Sequence, residues 1–396
     1  MDINYNYSSI QNDNDISIII KRIRRNIDFP YKKEYIKNDI QTLFSNLKNF
    51  KNRFVKNKFE IVNIDQFKST IINSKFKNEY LMFLNDDNED YENINILSDY
   101  FSEECRIHCK KYHSFMSPYK SFNNNKFLFR LIKELIEKKK DINWINLREL
   151  LYKKGECSNF KLTLALSVYR YFNAKRVLDI SAGWGDRLIA AIAHEDEIEY
   201  YNGFDPSECM SKLYPKIIDT LATDKSKFSV ITSPFENAHL KNTYNLIFTS
   251  PPFFALEVYS DEESQSISKY SKKTEWFCHM LIRWLIIAWK KLEVNGHMAI
   301  NIEDIVNHSG KFKIIELFTE AMVLFVTGYF KSSKYLGVIG HGNVGKHVVR
   351  PIWVWIKTDN KDEEYQNNKK RYRKRFKKYY PEEYKCIKEL YFNHKE

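Results

Sequence analysis

The sequence predicts an α/β fold with an open, mostly parallel sheet, and two stretches carry this prediction. A β-rich run at residues 175–180 is followed by a glycine turn and then by a helix-like apolar stretch that ends near residue 193. Strand, glycine turn and helix in this order form the opening unit of nucleotide-binding α/β domains. A second apolar run, residues 244–248, ends before Pro251 and Pro252, which cannot continue a central strand. We therefore expect both runs to end at a ligand-binding edge of the sheet.

The remaining elements follow from hydrophobic spacing. Short helices such as residues 40–47 are expected in the first 125 residues, and Ser158 is the expected N-cap of a helix that ends near residue 172. Further strands are expected at the following places: 200–204, 228–231, 297–302 and 350–356. Residues 275–292 have the spacing of an amphipathic helix, and the polar residues 255–274 before them are expected to form a long, functional loop, with a disordered insertion as the alternative.

Acidic residues follow the first two predicted strands. Asp179 lies in the first strand, and Asp205 comes directly after the second. An acid at the end of the second strand is well placed to hold ribose hydroxyls. The G-x-G-x-x-G spacing of dinucleotide-binding domains is absent, so the sequence predicts a nucleotide site of another kind.

The tetrapeptide Ser250-Pro251-Pro252-Phe253 predicts the second half of a site. Proline has no N–H, so the local backbone presents carbonyl acceptors without competing donors. The Ser250 hydroxyl and the Pro251 carbonyl could both accept hydrogen bonds from one planar NH2 group, and Phe253 could stack on the ring that carries it. This combination fits an enzyme that makes the nitrogen of an amino-bearing heterocycle react.

Together these motifs resemble those of S-adenosylmethionine-dependent amino-methyltransferases, over roughly residues 145–357. The nearest relatives are the DNA and RNA enzymes that methylate the exocyclic amine of adenine or cytosine. Trp184 and Arg187 after the glycine turn, and Ser264 to Ser266 after the tetrapeptide, are similar to a phage and large-virus branch labelled DNA methylases. The resemblance implies a Rossmann-like, seven-stranded methyltransferase sheet with S-adenosyl-L-methionine as the cofactor.

The resemblance also implies roles for individual residues. Asp179 and the glycine turn would line the methionine part of the cofactor, Asp205 would bind its ribose, and Ser233 or Glu236 would lie near its adenine. The cofactor-binding set is Phe160, Asp179, Ser181, Gly183, Trp184, Gly185, Asp205, Ser233 and Glu236. The catalytic set is Ser250, Pro251, Pro252 and Phe253, which would hold the target base, and no metal is expected.

The resemblance leaves the target base open. Serine at the first tetrapeptide position is commonest in cytosine-type enzymes, whereas phenylalanine at the fourth also occurs in RNA adenosine enzymes. DNA is favoured and RNA stays possible. Neither Cys209 nor Cys278 follows a proline, so the covalent cysteine of ring-carbon methylation is not expected. Two other functions remain open: a protein or small-molecule amino-methyltransferase, and a non-catalytic nucleic-acid-binding subunit of the same fold.

Charge favours a polyanionic partner. The 396 residues carry a net charge of +12, although an AT-rich genome that encodes many lysines would produce the same excess. Eight of the ten residues 369–378 are cationic, with aromatics between them. We expect a nucleic-acid-binding arm there, with a solvated helix face or a nuclear-localisation patch as alternatives. The expected contact residues are Lys369, Lys370, Arg371, Arg373, Lys374 and Arg375.

The sequence divides into a mainly helical accessory region (1–125), a methyltransferase domain (126–358) and a basic tail (359–396). The N-terminus lacks the pattern of a signal peptide, and no long uncharged apolar run predicts a membrane helix. These features predict a cytoplasmic or nuclear protein, with a viral protein acting in its host cell as one possibility.

The cysteines and two local motifs need separate interpretation. Six unevenly spread cysteines do not predict disulfides, so a reducing compartment is expected. Two cysteines and two histidines at residues 105–113 have metal-ligand spacing, but they lack the paired motifs of structural zinc sites, so a metal is not favoured. Residues 340–347 nearly match a phosphate-binding loop, yet His347 replaces the required Ser or Thr and a strand follows, which favours a hairpin.

Overall fold

The computed structural model describes residues 3–26, 29–32, 39–51, 81–85, 94–111, 116–307, 314–316, 318–343 and 350–392. The strands, numbered along the chain, are β1 (Asn4–Tyr5), β2 (Leu81–Asn85), β3 (Lys110–Lys111), β4 (Ile142–Asn143), β5 (Arg176–Asp179), β6 (Tyr200–Phe204), β7 (Phe228–Ile231), β8 (Tyr244–Thr249), β9 (Glu257–Val258), β10 (Leu292–Asn301), β11 (Ile305–Asn307), β12 (Ile314–Glu316), β13 (Ser333–Asn343) and β14 (Arg350–Lys357).

The helices, numbered in the same way, are α1 (Asp13–Asn26), α2 (Ile40–Lys48), α3 (Leu97–Arg106), α4 (Pro118–Asn123), α5 (Asn125–Glu137), α6 (Trp144–Gly155), α7 (Leu162–Tyr171), α8 (Asp186–Ala193), α9 (Glu208–Ser211), α10 (Leu213–Leu221), α11 (Ser266–Lys269), α12 (Lys273–Glu275), α13 (Arg283–Lys291), α14 (Thr319–Tyr329), α15 (Glu363–Tyr379) and α16 (Pro381–Ile387). Segments Trp276–Ile282 and Lys388–Phe392 are π-helical. Short 3₁₀ turns lie at Tyr7–Ser9, Lys225–Lys227 and Phe235–Asn237.

The central sheet confirms the predicted fold class. Its strand order is β2-β13-β14-β10-β8-β5-β6-β7, and all neighbours are parallel except β14, which is antiparallel to both β10 and β13. The seven strands from β5 to β14 in this sheet form the predicted Rossmann-like arrangement. The sequence analysis missed an eighth strand, β2, which the N-terminal region adds at the edge.

Both faces of the sheet are covered by helices, as a parallel sheet requires. Leu178, Ile247 and Met298 point into a core shared with α13 and α14. Their neighbours Val177 and Leu246 point into the opposite core, which α7, α8 and α10 complete. Alternate residues of each strand therefore enter different cores. This helix–sheet–helix packing holds the carboxyl ends of β5, β6, β8 and β10 at one edge.

The accessory region is joined to the sheet by packing as well as by β2. Helix α2, predicted at residues 40–47, buries Leu43, Phe44 and Leu47 in the core of α7 and α8, and α3 joins the same core. A third core unites α1 with α4, α5 and α6. That core extends across residue 125, so α5 and α6 pack with the accessory helices rather than with the sheet.

Of two local predictions, the N-cap of α7 is wrong, whereas the strand after residues 340–347 is confirmed. Helix α7 begins at Leu162, so Ser158 is not its N-cap. The Ser158 and Phe160 N–H groups instead donate to the carboxylates of Glu257 and Asp186, at 3.4 and 3.3 Å, and these tertiary contacts hold the segment outside the helix. The antiparallel pairing of β13 with β14 confirms that a strand, and not a helix, follows the glycine-rich residues 340–347.

The expectation about cysteines is wrong in the described residues. Cys105 forms a disulfide with Cys209, and Cys109 forms one with Cys157. The partners are 104 and 48 residues apart, so only the fold brings them together. Because Cys105 and Cys109 are paired in this way, they are not free to ligate a metal, and His113 lies outside the described residues. None of the described helices has the length and apolar character needed to cross a membrane.

Candidate active site

A cavity of about 890 Å³ opens at the carboxyl edge of the sheet. The cavity is lined by six residues of the predicted cofactor set: Phe160, Ser181, Gly183, Trp184, Asp205 and Glu236. It is also lined by Ser250, Pro252 and Phe253 of the tetrapeptide. Asp179, Gly185, Ser233 and Pro251 do not line it. The two predicted halves of the site thus share one cavity.

The glycine turn shapes one wall. Gly183 and Gly185 have φ angles of +59° and +85°, a region that residues with a Cβ rarely adopt. The Gly183 N–H donates to Asp205 Oδ2 at 2.8 Å, and the Tyr214 hydroxyl donates to the Gly183 carbonyl at 2.6 Å. A Cβ on Gly185 would lie 2.7 Å from Ile217 Cδ1. Gly183 therefore borders the cavity, whereas Gly185 allows close packing behind it.

Asp205 is held in place by two backbone donors. In addition to the Gly183 contact, its Oδ1 accepts from the Ser207 N–H at 3.0 Å. Burial raises the pKa of Asp205 to about 6, although both hydrogen bonds act in the opposite direction. At neutral pH the group is mainly a carboxylate, and each oxygen keeps acceptor capacity for a ligand hydroxyl.

Asp179 has a different position from the one expected. It is fully buried and pairs with Arg187, whose Nε lies 2.8 Å from Asp179 Oδ2. The same oxygen accepts from the Tyr201 hydroxyl at 2.8 Å. The Arg187 guanidinium also donates to the Ser181 carbonyl and lines the cavity. Asp179 thus supports the wall of the cavity through Arg187 and does not itself face a ligand.

The tetrapeptide is fixed by side chains from neighbouring strands. The Ser181 hydroxyl lies 2.7 Å from Thr249 Oγ1 and donates to the Ser250 carbonyl at 3.0 Å. Asn301, which ends β10, donates from Nδ2 to Ser250 Oγ at 3.0 Å. Its Oδ1 lies 2.9 Å from His341 Nε2. The hydroxyl that should meet the substrate is therefore held by a side chain that the sequence analysis missed.

His341 is neutral in this network. Burial, together with Arg350 and Lys161, lowers the pKa of His341 to about 3. The structure places the His341 ring against Asn301. A polar residue at the end of the fifth predicted strand was the available signal for Asn301, because such ends face the ligand in α/β sheets.

Glu236 forms part of the cavity wall and follows β7 in the chain. It accepts hydrogen bonds from Lys269 Nζ at 2.6 Å, the Tyr270 hydroxyl at 3.0 Å and Trp284 Nε1 at 2.8 Å. Burial alone would raise the pKa of Glu236, but the hydrogen bonds from Lys269 and Trp284 and the charge of Lys269 outweigh it and lower the pKa below its usual value. Ser233, its alternative in the sequence analysis, lies outside the cavity lining and contacts the Pro234 carbonyl.

The loop after the tetrapeptide closes over the cavity. Its first residues turn at Phe254, whose φ is +44°, and its β9 strand pairs with β3 of the accessory region. Tyr259 lines the cavity with its ring 6.0 Å from that of Trp184. The loop also includes α11 and α12. It is an ordered wall of the cavity and not a disordered insertion, and its function stays a prediction.

Both disulfides attach the accessory region to this site. Cys105 and His108 line the cavity directly, and Cys209 lies four residues after Asp205. Cys157 precedes the cavity-lining segment 158–160. In the described part of the chain, no group of three His, Cys, Asp or Glu side chains is arranged to hold a metal ion.

The basic segment is a helix packed on α14, not a free arm. Tyr365, Lys369, Tyr372 and Phe376 form the buried face of α15. Lys369 Nζ donates to the Phe330 carbonyl, and burial lowers its pKa to about 8.

Two of the expected contact residues also make intramolecular contacts. Arg373 Nε donates to the Gly328 carbonyl at 2.6 Å, and Arg375 pairs with Glu320 at 3.3 Å. Lys370, Arg371 and Lys374 are exposed. The alternative of a solvated helix face describes this segment, so any contact with nucleic acid would come from the exposed side.

Comparison with known proteins gives distant structural similarity only. No protein-family model and no curated protein matches the chain. Similar solved structures include an rRNA methylase from Streptococcus thermophilus, with 13% identity over 51% of this chain and 99% of that chain and a TM-score of 0.33.

Two others have the same degree of similarity. TrmN from Thermus thermophilus has 13% identity over 52% of this chain and 55% of that chain, with a TM-score of 0.34. An S-adenosylmethionine-dependent methyltransferase from Clostridium acetobutylicum has 11% identity over 50% and 90%, with a TM-score of 0.33. At such values the activity and the substrate have to be inferred from the site itself.

Proposed function

We propose that this protein is an S-adenosylmethionine-dependent methyltransferase that acts on the exocyclic amine of a nucleic-acid base. One observation carries the proposal. The Gly183–Asp205 corner and the Ser250 tetrapeptide come from separate parts of the chain, yet both line the same cavity of about 890 Å³. A nucleoside cofactor and a heterocyclic acceptor would therefore be held side by side.

The cavity walls fit the nucleoside end of the cofactor. Asp205 supplies carboxylate oxygens for ribose hydroxyls, and Gly183 leaves room because it has no side chain. Glu236 is a carboxylate that could accept from an adenine amino group. Trp184 and Tyr259 add aromatic surface beside them.

The amino-acid end of the cofactor also has suitable partners. Asn159 Oδ1 and Asp186 Oδ1 are buried, line the cavity and have no hydrogen-bond partner among the described residues. Both are acceptors, as an ammonium group requires. Asn159 directly precedes Phe160 in the chain, and Asp186 accepts a hydrogen bond from the Phe160 N–H. Burying such groups without a partner is unfavourable, so a ligand cation would stabilise them.

The target amine would be held at the tetrapeptide. Ser250 Oγ receives one hydrogen bond from Asn301 and keeps a second lone pair for an amine N–H. Phe253 is half-buried at the cavity and is available to stack on the base. A hydrogen bond from the amine to Ser250 Oγ would favour lone-pair character at nitrogen, whereas Pro251, which does not line the cavity, is not assigned this role.

Catalysis would then depend mainly on positioning. S-adenosylmethionine supplies an electrophilic methyl group on a sulfonium centre. The chain's contribution is to hold the amine nitrogen in line with that methyl group at near-attack distance, which supplies much of the rate. In a duplex the target base must be flipped out to enter the cavity.

A nucleic acid is the favoured acceptor because of the net charge of +12 and the exposed cations of α15, with DNA preferred over RNA on the resemblance of the motifs.

A protein or small-molecule amine is the second candidate. It is favoured by the carboxylates at the cavity, which suit a neutral or cationic group better than a phosphate; they include Glu257, Asp261, Glu262, Glu303 and Asp304.

The experiment that separates these candidates uses one labelled methyl donor. The protein is incubated with methyl-labelled S-adenosylmethionine and DNA, RNA or a protein extract, and label is counted in each acceptor. Transfer to nucleic acid that is lost in Ser250→Ala supports the proposal. Label confined to protein would favour the second candidate, and no transfer to any acceptor would contradict both.

A further inference from the structure

Gln265 and Ser266 lie in a motif that the proposed function does not yet use. They belong to the loop after the tetrapeptide, and both line the cavity. Gln265 is only 5% exposed although its side chain is a primary amide. Polar side chains buried to this degree normally have hydrogen-bond partners.

The orientation of the Gln265 amide is fixed by the backbone. Its Oε1 accepts from the Ile267 N–H at 2.6 Å, so the oxygen cannot exchange places with the nitrogen without losing that contact. The Nε2 atom therefore projects its N–H donors in the other direction. Within the described residues Nε2 has no hydrogen-bond partner, and neither has Ser266 Oγ.

The neighbouring side chains supply the complementary group. Lys269 and Tyr270, at the end of the same short helix, both donate to the Glu236 carboxylate. The backbone N–H of Lys269 also donates to the Gln265 carbonyl at 3.1 Å, so Gln265 and Lys269 are held together in one helical turn. One wall of the cavity thus offers a carboxylate acceptor from Glu236 and an amide donor from Gln265.

An acceptor and a donor in the lining of one cavity match the edge of an aminated heterocycle. Such an edge has an NH2 group, which donates, beside a ring nitrogen, which accepts. A phosphate offers only acceptors, and a sugar hydroxyl can either donate or accept, so neither presents a fixed donor beside a fixed acceptor. The same edge occurs in adenine and in cytosine.

We propose that Gln265 donates a hydrogen bond to the ring nitrogen of an aminated heterocycle bound in the cavity, with Ser266 Oγ as an auxiliary polar contact. This deepens the proposed function and rests on it. That function brings two heterocycles of this kind into the cavity, the adenine of the methyl donor and the target base. Gln265 selects one of them, and discrimination would come from the cost of leaving its donor unpaired.

The test uses two substitutions with different chemistry. Gln265→Glu keeps the size of the side chain and the oxygen that accepts from Ile267, but replaces the free donor with an acceptor. Gln265→Met removes the donor without adding charge. Gln11→Glu, at an exposed position far from the cavity in sequence, is the matched control for the added charge. Thermal melting checks that each variant is folded.

Calorimetry with S-adenosylmethionine and with S-adenosylhomocysteine is combined with methyl-transfer kinetics on DNA and RNA oligonucleotides. Both Gln265 variants should lose affinity by roughly 10- to 100-fold for one heterocycle. A higher Kd for both cofactor forms assigns Gln265 to the cofactor adenine. An unchanged cofactor Kd with a higher KM for the oligonucleotide assigns it to the target base.

Two results would overturn the inference. Folded Gln265→Glu and Gln265→Met proteins with unaltered cofactor Kd and unaltered KM would show that water, and not a ligand, satisfies the amide; the proposed function would stand. Failure of the unaltered protein to bind either cofactor form or to methylate any oligonucleotide would overturn the proposed function and this inference with it.

Discussion

Asp205 allows the cofactor site to be tested through its ionisation. Burial raises the pKa of Asp205 from 3.8 to about 6 in the folded protein. A carboxylate accepts from ribose hydroxyls better than a carboxylic acid does, so S-adenosylmethionine affinity should fall as the pH decreases through about 6. The charge-assisted contact contributes about 1.5–3 kcal/mol, equivalent to a change in Kd of roughly 10- to 150-fold.

The same pKa predicts an opposite effect on stability. The folded protein holds this proton more tightly than the unfolded chain, so ionised Asp205 destabilises the fold. The free energy of unfolding should therefore decrease as the pH rises from about 3.8 to about 6. This change in pKa corresponds to a decrease of at most about 3 kcal/mol in the free energy of unfolding, because the side chain borders the open cavity and is partly solvated there.

Calorimetric titration and urea unfolding between pH 4.5 and 7.5 would measure both effects. Asp205→Asn should bind the cofactor weakly at every pH. Its free energy of unfolding should lack the decrease between pH 3.8 and about 6 that ionisation of Asp205 causes. Asp196→Asn, at an exposed position, is the control. Equal cofactor affinity of the unaltered and Asp205→Asn proteins at pH 7 would refute the assignment of Asp205 to the ribose.

Three further predictions concern Phe253 in the cavity, the exposed face of α15 and a disulfide of the accessory region. Phe253→Ala should abolish most methyl transfer yet keep cofactor affinity, because stacking on a base contributes about 1–3 kcal/mol; parallel loss of cofactor affinity in calorimetry would contradict the stacking role. Replacing Lys370 and Lys374 by Gln should reduce the log–log salt slope of nucleic-acid binding by about 1.4 to 1.8, and an unchanged slope would exclude this face of α15. Cys105→Ser removes a disulfide that closes a loop of 104 residues, so the free energy of unfolding in denaturant should fall by up to about 4.7 kcal/mol. Cofactor affinity should fall with it because Cys209 follows Asp205, and equal stability under oxidising conditions would show that the bond is absent in solution.

The sheet and the two halves of the site were predictable because their signals are local. Apolar runs identify β5, β6 and β8, and the glycines and prolines that follow force the chain out of the sheet. The prediction that ligand-binding residues gather at the strand ends follows from the parallel fold. The shared cavity of Gly183, Asp205 and Ser250 agrees with it.

The errors come from tertiary contacts between side chains of different elements. Asp179 has the local appearance of a ligand-binding acid, but the ion pair with Arg187 and the Tyr201 hydroxyl use its oxygens. The charge run at residues 369–378 has the composition of an exposed arm, yet one side of it is buried and Lys369 reaches the Phe330 carbonyl because α15 packs on α14. Composition cannot show either outcome, since both depend on which helix or strand becomes a neighbour.

The disulfides and the Asn301–Ser250 hydrogen bond also depend on which elements become neighbours in the fold. Cysteine spacing does not reveal that Cys105 and Cys209 meet at the cavity, because the contact requires the accessory helices to pack on the sheet. Asn301 approaches Ser250 only when β10 lies beside β8. Its position at a strand end was visible in the sequence, but its partner was not.

We propose that this cavity transfers a methyl group to the exocyclic nitrogen of a nucleic-acid base. The most direct measurement is mass spectrometry of nucleosides from DNA and RNA incubated with the protein and methyl-deuterated S-adenosylmethionine. A deuterated methyl group is expected on the exocyclic amine of adenine or cytosine, and it should be lost in Ser250→Ala and strongly reduced in Asp205→Asn. A label on a ring carbon or a ribose oxygen, or a label that persists in both variants, would contradict it.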